Sequence, residues 1–187
     1  RFEEARSCYL SFTPNQTETD NKKFTYSVWI KRSGESGDDQ HLIQSKNAGS
    51  GTGQGHVGLF IDDSSKPASL DVYSQNGAGI AQGTRVVRDF SAWYNIVFVY
   101  DTTQALESDR IRIYVNGDED PHTGYFPPEN SVVSSMNVNG REQRIGSYVP
   151  GYTRYFNGYM AEIHMVDGQA LDPTNFVPSV VVAVPVP

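Results

Sequence analysis

Where this chain is apolar it alternates with a period of two. In the run Phe24–Arg32, Phe24, Tyr26, Val28 and Ile30 share one side, and Thr25, Ser27 and Lys31 share the other. That is the spacing of a half-buried β-strand, not of an amphipathic helix. Ile96–Tyr100 is apolar at nearly every position, as expected of a central strand covered on both faces. Arg110–Val115 alternates again and runs into Asn116-Gly117, the dipeptide best suited to the positive φ angles of a type I′ hairpin. Weaker strand patterns span Cys8–Thr13, His41–Ser45, His56–Ile61, Ser69–Tyr73, Ile80–Val87, Gln143–Ser147 and Tyr159–Val166, each bounded by Gly, Asn, Asp or Pro. Ten short strands without a long helix predict an all-β fold, a sandwich of two antiparallel sheets.

With 187 residues, the chain fits one large β domain better than two. The expected domain is 1–176, followed by a Val/Pro-rich extension, 177–187, that is either a linker or a strand docking on a partner. Two loops stand out: the Gly-rich 47–55, and 117–128, which is acidic and then aromatic. The formal charge of −7, with basic residues scattered along the chain, argues against nucleic acid, whose phosphates need clustered Lys and Arg. Cys8 is the lone cysteine, so no intrachain disulfide can form. No apolar run is long enough for a bilayer and no signal peptide is visible, so membrane insertion is not expected. The chain opens at Arg1 and stops at Pro187, which reads as a piece of a longer polypeptide.

The stretch Phe156–Phe176 reads as a strand, a tight turn at Asp167-Gly168 and one helical turn, with Asp172 as N-cap and Pro173 at the first helical position. Phe176 is placed to pin that turn. With its Gly158-x-x-Ala161-Glu162-Ile163, Asp167-Gly168-Gln169-Ala170-Leu171 and Asp172-Pro173-Thr174-Asn175-Phe176, it resembles the closing element of laminin G-like, or concanavalin A-like, jelly-roll domains of the kind found in phage virion proteins. Phe24–Arg32, Leu42–Ser45, Trp93–Thr102, Arg112–Gly117 and Ile145-Gly146 fall in the order such domains show. The resemblance runs from Tyr9 to Phe176, and it departs at Val177–Val180, where a Gly-Glu pair is common. It implies a laminin G-like jelly-roll β-sandwich. It also implies a structural or adhesive module of a virion surface (capsid decoration, fibre or tail) that assembles with other virion subunits as a homo-oligomer and contacts host glycans. A stand-alone lectin and a glucanase-like hydrolase are the alternatives.

Hydrolases of this architecture set two carboxylates on one strand face as Glu-x-Asp-x-(x)-Glu, about 5 Å apart. No such string exists here. Asp118-Glu119-Asp120 is contiguous, Glu162 and Asp167 fall on opposite faces of a strand, and His41, His56, His122 and His164 are far apart. The expectation is therefore a protein without catalytic residues.

Relatives of this fold hold calcium at a sandwich rim with carboxylates and backbone carbonyls. Asp62 and Asp63 are the preferred ligands here, with Asp101, Asp109 and Asp118–Asp120 behind them. No loop of defined ligand spacing is present, so the expectation is no cofactor, with calcium as the one candidate. Glycan binding would need exposed rings flanked by polar side chains. The candidates are Tyr148, Tyr152, Arg154 and Tyr155 in one loop and Tyr125-Phe126 in another, either for a sugar or for a neighbouring subunit. Trp29 and Trp93, lying in strand patterns, are expected in the core.

Overall fold

The computed structural model describes residues 1–45, 57–63, 68–74, 79–133, 135–148 and 154–176. The Gly-rich segment 47–55, His56, Tyr152 and the extension 177–187 lie outside them. Twelve strands form among the described residues: β1 (Leu10–Phe12), β2 (Lys23–Arg32), β3 (Gln40–Ser45), β4 (Val57–Asp62), β5 (Ser69–Ser74), β6 (Gly79–Val86), β7 (Tyr94–Asp101), β8 (Ile111–Val115), β9 (Asp118–Asp120), β10 (His122–Gly124), β11 (Gln143–Ile145) and β12 (Gly158–Asp167). They build a seven-stranded sheet, β1-β11-β3-β4-β5-β6-β10, and a five-stranded sheet, β12-β2-β7-β8-β9. Every pairing is antiparallel.

One apolar cluster fills the space between the sheets. Phe24, Tyr26, Val28 and Ile30 of β2 meet Ile96, Phe98 and Tyr100 of β7 from one side, and Leu59, Ile61, Leu70 and Val72 of β4 and β5 close it from the other. β7 is the middle strand of its sheet, which accounts for its unbroken apolar run: Ile96 and Phe98 face the core, whereas Val97 and Val99 join a second cluster with Tyr114, Ala170 and Phe176. The closing segment thus packs over the outer face of the five-stranded sheet. Thr25 Oγ1 donates to the Gln169 carbonyl at 2.8 Å and accepts from the Leu171 amide at 2.9 Å. Asp172 caps its turn by accepting from the Thr174 amide at 2.9 Å, with Pro173 next in line.

All ten expected strands are present, and Asn116 (φ 54°) and Gly117 (φ 89°) form the β8–β9 hairpin. Two expectations need correcting. Residues 117–128 are not simply a loop: β9 and β10 lie within them, each three residues long and at a sheet edge, too short to show a period. Nor are the tryptophans core residues. Trp29 is in phase with Thr25 and Ser27, on the side of β2 away from Val28 and Ile30, and Trp93, just ahead of β7, is 43% exposed.

Candidate functional site

Alternation along β3, β4 and β5 sends every second side chain away from the core, and register lines those side chains into rows. Gln44, Gly58 and Tyr73 share one row, His41, Phe60 and Asp71 the next, and Asp62 and Ser69 a third. This is the outer face of the seven-stranded sheet. Phe60 stacks on Tyr73 (centroids 4.5 Å apart) and on His41 (5.2 Å), and Tyr148 meets the His41 ring edge-on at 4.9 Å. The rings cover one another, so His41 and Phe60 are buried although they face outward.

Arg154 is seated on this platform. Its guanidinium pairs with Asp38 at 3.0 Å and Asp39 at 2.7 Å, donates to the Tyr73 hydroxyl at 3.2 Å, and lies 5.9 Å from the Tyr148 ring, with its side chain 25% exposed. These carboxylates and the tyrosine raise its pKa against the opposing cost of burial. Desolvation raises the Tyr73 phenol as well. Beside the platform, Arg144 lies 4.4 Å over the ring of Tyr9, and Tyr9 sits 6.5 Å from Tyr155. Asp71, fully buried, accepts from Ser69 Oγ (3.0 Å), Gln82 Nε2 (3.4 Å) and the Gly83 amide (3.3 Å). Burial still lifts its pKa above the usual carboxylate range, helped by the neighbouring charge of Asp62.

The structure divides the residues singled out in the sequence. Tyr148, Arg154 and Tyr155 come together at the β3–β11 side of the sheet. Tyr125 and Phe126 follow β10 at the opposite edge, where Phe126 packs on His122 at 5.1 Å. Asp62 and Asp63 part company too. Asp62 turns to the outer face, while both Asp63 oxygens accept from Arg32 Nη2 (2.7 and 2.6 Å), and one also accepts from Gln40 Nε2 (2.7 Å). With its oxygens so occupied, Asp63 is not placed to ligate a metal. No group of three or more His, Cys, Asp or Glu residues is arranged to hold a metal ion among the described residues. His41, Phe60, Asp71, Tyr73 and Asp39 were missed, because the platform arises from pairing between strands and no single segment spells it. The outward series Gly58-x-Phe60-x-Asp62 beside Ser69-x-Asp71-x-Tyr73 was the available signal.

A sandwich of two antiparallel sheets is the build of a concanavalin A-like domain. The chain belongs to the Laminin_G_3 family of the concanavalin A-like lectin/glucanases superfamily, whose family model matches residues 5–175. A search of curated proteins finds no match. Among solved structures, it is similar to domain 4 of AbnA, a GH43 extracellular arabinanase from Geobacillus stearothermophilus in complex with arabinotriose (TM-score 0.59, 16% identity, covering 84% of this chain and 66% of that one). It is similar to the Ruminococcus gnavus IT-sialidase CBM40 (0.56, 13%, 91% and 96%) and to the binding domain of botulinum neurotoxin DC in complex with SialylT (0.56, 14%, 89% and 37%). It spans only 22% of the Trypanosoma rangeli sialidase chain it also matches. At these identities the likeness concerns the fold.

Proposed function

We propose that this domain binds glycans without turning them over, through the platform around Arg154. The observation that carries the reading is the Arg154 seat: a guanidinium fixed by Asp38, Asp39 and Tyr73 above stacked rings, yet a quarter exposed. Such a group offers fixed hydrogen bonds beside the part-exposed rings of Tyr73 and Tyr155 and the exposed ring of Tyr9, the combination that holds a sugar. Charge selects among sugars. Arg154 is already matched by two carboxylates, and Asp62 and Asp71 add two more on the same face. A neutral glycan suits this surface better than a sialylated one. Binding of neutral arabino- and gluco-oligosaccharides, measured by calorimetry, should weaken at least about tenfold in Arg154→Ala. Absence of any glycan ligand, or undiminished binding by the variant, would sink the reading.

Hydrolysis is the second reading. Asp71 and Asp62 stand diagonally on adjacent strands of the same face, and the Asp71 pKa is raised, as a general acid needs. Binding is favoured because Asp71 is buried with its oxygens engaged. Release of reducing ends that Asp71→Asn abolishes would reverse that preference.

The setting we propose is a virion surface, where the domain serves as a structural and adhesive part among copies of itself. The phage-like closing motif supports this, as does the edge strand β1, whose Leu10 (54% exposed) and Phe12 present an apolar rim that a neighbouring subunit would cover. Light scattering should find an oligomer that Leu10→Lys dissociates. A monomer at all concentrations would remove the support.

A further inference from the structure

On the outer face of the five-stranded sheet, Trp29, Trp93, Asn95, Asn116 and Gly117 line a pocket of ≈ 320 Å³. It lies on the opposite side of the sandwich from Arg154. Asn95 is the informative member. It is 1% exposed, and neither its Oδ1 nor its Nδ2 has a hydrogen-bond partner among the described residues. A buried amide left unpaired on both atoms costs free energy, and native folds rarely keep one without use. Its position is imposed by the sheet. Ile96 and Phe98 point into the core, so Asn95, Val97 and Val99 point out. Asn116 fixes the neighbouring backbone, its Oδ1 accepting from the Asn95 amide at 2.9 Å while its own amide donates to the Asn95 carbonyl at 2.8 Å. Opposite Asn95 in register stands Trp29, and Trp93 remains 43% exposed.

We propose that this pocket is a second ligand site, taking a neutral mono- or disaccharide. Two indoles offer apolar ring surface of the kind a pyranose lies against, and the lining residues carry no charge. A vicinal pair of hydroxyls supplies both partners Asn95 lacks, a donor for Oδ1 and an acceptor for Nδ2. A proline-rich peptide, which also favours aromatic clefts, has no N–H at its prolines and would leave Oδ1 unpaired. The volume is at the small end of ligand pockets, which limits the occupant to a terminal unit of a longer glycan.

Trp29 and Trp93 are the chain's only two tryptophans, so its tryptophan emission reports on this pocket. Titration of the intact chain with neutral oligosaccharides up to about 10 mM should give a saturable emission change. Trp93→Ala should weaken it about tenfold, and Trp93→Phe should retain it. Because Trp93 is exposed, both variants are expected to melt like the parent, which keeps a folding defect separate from a lost contact. Arg154→Ala should leave the emission titration unchanged. Silence across the sugar panel, equal affinity in Trp93→Ala, or saturation by a proline-rich peptide alone would each overturn the proposal. Silent emission with calorimetric binding that depends on Arg154 defeats this site while sparing the one on the other face. Binding at neither face defeats both.

Discussion

Asp63 accepts from a single nitrogen of Arg32 with both of its oxygens, at 2.7 and 2.6 Å, and the two side chains are 1% and 0% exposed. Such a pair stabilises less than its contacts suggest, because both ions were desolvated to form it, but removing one partner strands the other. Asp63→Ala should therefore destabilise the domain by about 3–5 kcal/mol, measured by urea denaturation. Replacing both residues with apolar side chains of similar volume should recover most of that loss.

The same pairing bears on calcium. With Asp63 held by Arg32 and Gln40, the Asp62–Asp63 pair cannot serve as a joint ligand set, and among the described residues no group of three or more His, Cys, Asp or Glu is arranged to hold a metal ion. Melting in calcium and in chelator should agree, since only an ion bound to the native state raises Tm. A higher Tm in calcium that Asp62→Asn removes would restore the metal.

Gly58 is required on the outer face because Gln44 lies across it. A Cβ there would run into Gln44 Oε1, and the Ile43 carbonyl is close behind. Gly58→Ala must push Gln44 aside and break its contact with His41 Nδ1, now 3.2 Å. We expect a cost of about 1–3 kcal/mol from overpacking, together with weaker glycan binding. Wild-type Tm and binding in the variant would show that the face adapts.

Asp71 gives the pH test. Its folded-state pKa is raised, mainly by burial, so the native state holds its proton more tightly than the unfolded chain does. The stability this supplies is complete below the unfolded carboxyl pKa and is lost as pH rises through the folded value. At neutral pH the ionised group is therefore a cost. Asp71→Asn should raise Tm near pH 7, and the gain should shrink as the pH falls towards 4. A gain independent of pH would point to packing instead.

How much of this was legible depends on how local each feature is. The inward series Phe24, Tyr26, Val28, Ile30, the turn at Asn116-Gly117 and the cap at Asp172-Pro173 each state their geometry within a few residues, and each is found as read. β9 and β10 were hidden because three charged or polar residues carry no period; β9 is the return strand of the Asn116-Gly117 hairpin, whereas β10 pairs with β6, far back in the chain. A bulge in β12, with Glu162 at φ 48° and a register shift between Ala161 and His164, breaks strict alternation there, so counting faces from Glu162 to Asp167 misleads. The platform was hardest to see. His41, Phe60 and Tyr73 belong to three strands, and only the register of the sheet stacks them.

The register has one more result, for the order in which the molecule can be made. β1 has β11 as its sheet neighbour, with Leu10 opposite Ile145, and Phe2 bridges to Gly158. Within this domain, Phe2 and Leu10–Phe12 must then wait for Gln143–Ile145 and Gly158 before they have anything to pair with. A chain of such high contact order folds slowly, and its unpaired Leu10–Phe12 edge stays open to other nascent chains for that interval. The exposed rim of the finished domain is thus also the place where its folding is most open to error.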